Sequence, residues 1–94
     1  MAELAGVTVV VTGLVQGVLF RDFVRQHARR LSLNGYVRNM PGGRAVELGA
    51  EGERAKLEAL VAQVKKGPPK AVVEKAEVTW GKPSGRYSQF EIKY

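Results

Sequence analysis

The sequence has 94 residues, 45% of them hydrophobic and 26% charged, which is typical of a single globular domain over residues 1–94. It contains no cysteine, so disulfides, thiolate metal sites and a cysteine nucleophile are excluded. The formal net charge of +6 favours an anionic partner, either a phosphorylated metabolite or a nucleic acid. A basic solvated surface without a partner would explain that charge equally well.

No part of the sequence resembles a targeting or membrane-spanning segment. The apolar run at residues 7–11 is far shorter than the ~20 residues that a spanning helix requires. No basic region precedes it and no small-residue cleavage site follows it, so we expect no signal peptide. We therefore predict a cytoplasmic protein that makes no contact with a membrane.

The inventory of reactive side chains narrows the possible chemistry. His27 is the single histidine and Asp22 the single aspartate, and both lie on one predicted helix, where they could not surround a serine as a Ser-His-Asp triad does. No histidine or cysteine cluster could anchor a metal. We therefore predict no cofactor and no metal, and a chemistry based on arginine, amide and backbone donors.

The first half of the chain predicts a strand, a helix and a β-hairpin. The β-branched residues at 7–12 predict the strand, and a loop interrupted by Gly17 follows. From Phe20 the apolar residues recur with helical spacing, and Asn34 and Gly35 together predict the end of this helix. Two short strands and the turn at Pro41-Gly42-Gly43 then form the predicted hairpin.

The second half predicts one more helix and two more strands. The helix begins near Gly52 and ends at Gly67, and strands follow at residues 72–80 and 87–94. The order of elements is that of the split βαβ, ferredoxin-like α+β fold, with an added C-terminal strand. Two helices cover one face of a sheet, so we predict an antiparallel sheet with its second face toward water.

The loop that enters the first predicted helix has the properties of an anion site. Unpaired N–H groups and the helix dipole favour negative charge there, and Gly17 allows a ligand to approach the backbone. Arg21 in the first turn could bind two phosphate oxygens at once. From the pattern alone, a tight turn with a surface arginine offset by Asp22 is an equally good interpretation.

Two motifs resemble those of the acylphosphatase family. Residues 13–21 match its pattern Gly-x-Val-Gln-Gly-Val-x-Phe-Arg at every fixed position, and residues 35–39 match its second motif, Gly-Tyr-Val-Arg-Asn. The similarity extends over essentially the whole chain. Between Asn39 and the Glu51-Gly52 pair the sequence has one residue more than the family's commonest spacing, so we expect a bulge or a longer turn around residues 42–45.

The resemblance implies an enzyme that hydrolyses the carboxyl–phosphate mixed anhydride of acyl phosphates without a metal or cofactor. It implies that Arg21 is catalytic and holds phosphate, and that Asn39 orients the attacking water. The implied phosphate cradle is completed by Val15, Gln16, Gly17, Val18, Leu19 and Phe20. The expected partners are a small acyl phosphate and inorganic phosphate or other small anions, and we expect a monomer.

Two alternatives remain. RNA-recognition domains share this order of elements, but their third strand carries stacking aromatics, and residues 45–50 have no aromatic or basic side chain. We therefore expect no nucleic-acid partner. Acylphosphatase-like domains also occur within larger maturation enzymes that handle carbamoyl phosphate, which makes an accessory domain the second alternative. We expect His27 to be a part-buried structural residue and Arg38 to face away from Asn39.

Overall fold

A computed structural model describes residues 3–94 of the chain. Along the sequence it has the elements β1 (Leu4–Leu14), α1 (Phe20–Arg30), β2 (Asn34–Asn39), β3 (Ala45–Glu53), α2 (Arg54–Lys66), β4 (Val72–Gly81) and β5 (Phe90–Lys93). The strands form one sheet in the order β4-β1-β3-β2-β5. This architecture confirms the predicted α+β, ferredoxin-like fold with an added C-terminal strand.

The hydrophobic core lies between one face of the sheet and the two helices. In β1 the side chains alternate, so that Val9 and Val11 are fully buried while Thr8 between neighbouring valines is exposed. The helices contribute their apolar stripes to the same cluster, Val24 and Ala28 from α1 and Leu57, Leu60 and Val64 from α2. Both helices therefore cover the same face. No helix within residues 3–94 is long and apolar enough to cross a membrane.

The sheet is mixed, which corrects the prediction of a wholly antiparallel one. β1 and β2 both run antiparallel to β3, but β5 runs parallel to β2, with Gly35 opposite Phe90. The reason is that β4 occupies one edge of the sheet and ends where β2 begins. After β4 the chain crosses the sheet at the end where β2 begins and reaches the far edge there. β5 therefore starts at the same end as β2 and runs parallel to it.

The crossing segment, residues 82–89, is fastened to the sheet by one carboxylate. Glu51 of β3 accepts hydrogen bonds from the backbone N–H and the hydroxyl of Ser84, at 2.6 and 2.7 Å, and from the N–H of Gly85 at 3.0 Å. Tyr87 packs its ring 5.9 Å from that of Tyr36 on the face opposite the helices. The observed strand β5 is therefore shorter than the strand predicted at residues 87–94, because residues 87–89 belong to the crossing segment.

The predicted end of the first helix was wrong. Helix α1 ends at Arg30, and Ser32 takes the left-handed conformation with φ 59°, while Asn34 and Gly35 already belong to β2. Gly35 serves packing instead, because a Cβ there would lie 1.9 Å from the carbonyl oxygen of Gly49 on β3. A glycine required for close approach of two strands thus resembled a helix stop in the sequence.

Candidate active site

The C-terminal ends of β1, β2 and β5 lie at the same end of the sheet. This follows from the register, since β1 and β2 are both antiparallel to β3 and β5 is parallel to β2. The loop of residues 15–19 begins there, Asn39 is the last residue of β2, and Tyr94 follows β5. Three separate segments of the chain therefore meet at the N-terminus of α1.

The start of the loop is held by backbone contacts. The N–H of Gly13 donates to the carbonyl oxygen of Arg44 at 2.9 Å. On the other side, a Cβ on Gly13 would lie 2.2 Å from the carbonyl oxygen of Val72, so β4 approaches too closely for any side chain. The ladder between β1 and β4 shifts its register at this point. The chain thus leaves the sheet from a position fixed by both neighbouring strands.

Two residues in left-handed conformations redirect the chain from the loop into helix α1. Gly17 has φ 73°, with open space where a side chain would project. Leu19, with φ 62° and ψ 28°, is the residue before the helix, and its carbonyl oxygen accepts a hydrogen bond of 3.1 Å from the N–H of Phe23. A left-handed conformation costs a residue with a Cβ about 1–2 kcal/mol. The loop therefore holds strain next to the site, where such strain is often functional.

Gln16 ties the loop to the strand that carries Asn39. Its side-chain Nε2 donates to the carbonyl oxygens of Met40 and Ala45, both at 2.9 Å. These two residues close the turn between β2 and β3, where the N–H of Met40 also donates to the carbonyl oxygen of Ala45. The sequence placed Gln16 in the phosphate cradle, but its side-chain donors are occupied, so only its backbone N–H is available for that role.

A cavity of about 170 Å³ lies between the loop, the first turn of α1 and the end of β2. It is lined by Val15, Gly17, Leu19, Phe20, Arg21, Asp22 and Asn39. The structure thus brings Arg21 and Asn39, on separate elements, to one cavity with most of the predicted cradle. Gln16 and Val18 are the exceptions, since Gln16 binds the turn and the half-buried Val18 packs against the core.

The guanidinium of Arg21 has an aromatic neighbour rather than an acidic one. Its Cζ lies 4.9 Å from the centre of the Tyr94 ring, a cation–π distance. Asp22, which also lines the cavity, forms an ion pair of 2.9 Å with Arg25. Among residues 3–94, no carboxylate lies within ion-pair distance of Arg21. The donors of Arg21 are therefore open to an anion in the cavity.

The longer turn between β2 and β3 leaves Asn39 in the regular ladder. Gly42 and Gly43 take positive φ values of 99° and 79° in this turn, while the register of β2 with β3 runs without a shift from Asn34 to Asn39. The ladder that ends at Asn39 therefore contains no bulge, and residues 40–44 form the turn. Arg38 lies on the opposite face, where it donates to Glu47 at 2.8 Å.

His27 lies outside the cavity. Its ring packs 4.5 Å from that of Phe23 on α1. Burial and, to a smaller degree, the charge of Arg30 lower the pKa of His27 below its ordinary value. Within the part of the chain that the structure describes, no three His, Asp or Glu side chains come together as a metal site would. The position of His27 agrees with the structural role expected for it.

Sequence reasoning missed two residues of this site. Tyr94 was expected to continue an apolar face of the last strand, but it lies beyond β5 and is 99% exposed beside Arg21. Asp22 was considered only as a charge that offsets Arg21, yet it lines the cavity. Asp22 follows Arg21 directly in the sequence, and this spacing could have indicated that it lines the cavity. The position of Tyr94 depends on which strand β5 pairs with, which the sequence spacing does not indicate.

Comparison with known proteins gives one consistent family. The family model described as acylphosphatase matches residues 7–92. An acylphosphatase of Anaeromyxobacter sp. (strain Fw109-5) is 49% identical over 94 residues, the full length of both chains. The crystal structure of acylphosphatase from Bacillus subtilis superimposes with a TM-score of 0.90 and 38% identity, covering 98% of this chain and 100% of that one.

A larger protein contains the same fold. Full-length HypF, in its phosphate- and nucleotide-bound form, matches 100% of this chain with a TM-score of 0.88 and 29% identity, over 12% of its own length. Relatives named acylphosphatase match along their full length. The family model, these relatives and the shared fold agree over nearly every residue described, and the chain belongs to the acylphosphatase family.

Proposed function

We propose that this protein is an acylphosphatase, which hydrolyses the mixed anhydride of an acyl phosphate to a carboxylate and inorganic phosphate. The observation that carries the proposal is the common cavity of Arg21 and Asn39, which lies at the N-terminus of α1. Membership of the acylphosphatase family supports it independently. Family membership alone does not assign roles to individual residues.

The phosphate group is proposed to bind between the loop and α1. The first N–H groups of α1 have no partner within the helix, and the helix dipole adds positive potential at this end. Gly17 leaves space above the backbone for a phosphate oxygen to approach. Arg21 would bind two further oxygens through its planar guanidinium, which stays charged at any physiological pH. These donors form the phosphate site.

Asn39 is proposed to position the water that attacks phosphorus. Its amide lies on the same cavity but on a strand rather than on the loop, so it can bind a water while the loop binds phosphate. The water oxygen forms the new bond to phosphorus as the bond to the acyl oxygen breaks, in line with it. The electron pair leaves with the carboxylate, and the proton of the water passes to a phosphate oxygen.

The proposed rate enhancement comes from position and charge. In a loose transition state, the negative charge spreads over the phosphoryl oxygens, and fixed donors around these oxygens stabilise it without reorganisation. A carboxylate is a good leaving group, so the reaction requires no strong base and no metal to proceed. We accordingly propose an enzyme without a cofactor, which binds inorganic phosphate or other small anions at the loop.

The assembly and location of the protein are also proposals. Arg21 and Asn39 reach the same cavity within a single chain, so we propose that a monomer suffices for the reaction. We propose a cytoplasmic location, with which a cysteine-free sequence is compatible. The net charge of +6 would also suit a nucleic acid, but the segment at residues 82–89 lies against the sheet face that an RNA-recognition domain would use, so we do not propose nucleic-acid binding.

The second candidate is an accessory domain that acts with a partner enzyme handling carbamoyl phosphate. The likeness to HypF favours an accessory domain, because this fold makes up 12% of that larger protein. The two candidates differ in what the isolated chain does. An acylphosphatase hydrolyses acetyl phosphate by itself, whereas an accessory domain requires its partner. Capture of one dedicated partner, together with negligible hydrolysis by the isolated chain, would favour the accessory domain.

The test is hydrolysis of acetyl phosphate in the presence of EDTA by the wild type, Arg21→Ala and Asn39→Ala. Arg30→Ala and Asn34→Ala are matched controls, because they remove the same side chains from α1 and β2 outside the cavity. We expect turnover by the wild type and by both controls, and its loss in both site variants. No turnover by a correctly folded wild type would overturn the proposal.

A further inference from the structure

The backbone of Leu19 does not explain why a leucine occupies this position. With φ 62° and ψ 28° it lies in the left-handed region that side chains with a Cβ rarely adopt. The chain takes this conformation as it enters α1, where the carbonyl oxygen of Leu19 accepts a hydrogen bond from the N–H of Phe23. Glycine or asparagine would take the same conformation with less strain. Leucine is therefore an unfavourable residue for the backbone conformation of this turn.

Burial does not explain this leucine either. Its side chain is 74% exposed, while Val15 and Phe20 on the same loop are 1% and 2% exposed. An exposed leucine gains little from the hydrophobic effect on folding. Within residues 3–94 the other non-glycine residue with a positive φ is Ser32, which is small and polar. Leu19 thus combines strain with exposure and contributes little to the stability of the folded chain.

The position of Leu19 suggests what its side chain contacts. It lines the cavity that holds Arg21 and Asn39. Tyr94, with its side chain 99% exposed, lies against Arg21. Two large apolar side chains therefore stand in water beside a cavity whose donors suit a phosphate. In an acyl phosphate, the group attached to that phosphate is the acyl group, which must extend out of the cradle.

We propose that Leu19 and Tyr94 form a subsite for the acyl group, which makes the enzyme prefer aromatic or long aliphatic acyl phosphates to acetyl phosphate. The proposal rests on the proposed function, since it describes the leaving group of the same reaction. An aromatic acyl group covers apolar surface on both side chains, whereas the methyl group of acetyl phosphate covers little. Leu19 and Tyr94 are thus specificity-determining residues.

The experiment compares kcat/KM for benzoyl phosphate with kcat/KM for acetyl phosphate in the wild type and in Leu19→Asn. Asparagine tolerates the left-handed backbone but has no apolar side chain, so the turn is kept while the contact is lost. The ratio of the two values cancels any effect on phosphate binding that both substrates share. We expect Leu19→Asn to lower this ratio about tenfold, the low end of what one apolar contact contributes to specificity.

Two variants control for strain and for exposed apolar surface. Ser32→Gly relaxes a left-handed residue outside the cavity, and Leu4→Ala removes an exposed leucine, 63% accessible, outside the cavity. Both are expected to leave the benzoyl-to-acetyl ratio unchanged. Tyr94→Leu, which keeps an apolar side chain of smaller area, is expected to lower the ratio less than Tyr94→Ser. An unchanged ratio in Leu19→Asn would overturn the subsite, even in a fully active enzyme.

Binding of phosphonates separates the failure of the subsite from the failure of the proposed reaction. Benzylphosphonate and methylphosphonate present the same two kinds of group but cannot be hydrolysed at an anhydride. Calorimetric titration is expected to show tighter binding of benzylphosphonate, with the difference lost in Leu19→Asn. That result without any turnover would keep the subsite and overturn the proposed reaction. Equal binding of the two phosphonates by the wild type would overturn the subsite.

Discussion

Gln16 donates a hydrogen bond of 2.9 Å to the carbonyl oxygen of Met40, the residue that follows Asn39. A second bond from the same nitrogen reaches the carbonyl oxygen of Ala45 across the turn. The loop proposed to hold phosphate and the strand that carries Asn39 are thus joined by a side chain rather than by the sheet alone. This contact contributes to their relative position, on which the proposed in-line attack depends.

Replacement of Gln16 is expected to weaken both stability and turnover. Gln16→Ala leaves two part-buried carbonyl oxygens without this donor, which should lower the free energy of unfolding by about 1–3 kcal/mol. A misplacement of Asn39 by about 1 Å can reduce the rate about 100-fold. Urea unfolding and steady-state kinetics measure the two effects. Gln26→Ala, on the exposed side of α1, is the control. Wild-type kcat in Gln16→Ala would contradict the positioning role.

Substitutions of Arg21 and Asn39 are expected to impair different properties of the enzyme, phosphate binding for Arg21 and turnover for Asn39. Arg21→Lys should bind inorganic phosphate poorly and lose at least about 100-fold in kcat/KM, because an ammonium cannot reproduce the bidentate fork. Asn39→Ala should lose kcat by a similar factor and keep its affinity for phosphate. Competitive inhibition by phosphate provides the affinity. Loss of phosphate affinity in Asn39→Ala would show that this residue belongs to the phosphate site instead.

Glu51 is expected to make the fold sensitive to acid. Burial acts to raise the pKa of Glu51, but the hydrogen bonds from Ser84 and Gly85 and the charge of Arg86 outweigh it, so the pKa is lowered from 4.5. A lowered pKa in the folded state contributes stability above pH 4.5 that is lost as the pH falls through the folded value.

Urea unfolding of the wild type and Glu51→Gln between pH 2 and pH 7, a range set about the ordinary carboxyl pKa, measures this contribution. The wild type should be the more stable at neutral pH, and the difference should shrink toward pH 2. Glu58→Gln removes an exposed carboxylate from α2 and serves as the control. A difference that is independent of pH would show that the charge of Glu51 is not what fastens the crossing segment.

Gly35 is expected to tolerate no side chain. In Gly35→Ala the Cβ would lie 1.9 Å from the carbonyl oxygen of Gly49, so β2 would have to move away from β3. We expect a loss of at least about 3 kcal/mol in the free energy of unfolding, since the obstacle is backbone and not a flexible side chain. Gly81→Ala, in β4, places its Cβ in open space and is the matched control. Equal thermal midpoints for the two variants would contradict this explanation.

Much of the fold followed from local pattern. The β-branched run of β1, the helical spacing after Phe20 and the turn at Pro41-Gly42-Gly43 each depend on neighbours in sequence, and the structure has the strand, helix and hairpin that they predict. Local steric and hydrogen-bonding preferences determine such elements, so the sequence by itself contains them. The expected roles of Arg21 and Asn39 came instead from the resemblance of their motifs to those of a family, since the local pattern of the loop fitted a plain tight turn equally well.

The tertiary structure decided the rest, and for one physical reason. The direction of β5, the contact of Tyr94 with Arg21 and the packing role of Gly35 all depend on which strands become neighbours. Strand neighbours are chosen by the burial of the whole sheet beneath two helices, a free energy that no short segment carries. The sequence therefore determined which chemical groups the loop carries. The order of strands in the sheet determined which residues, such as Tyr94, surround that loop.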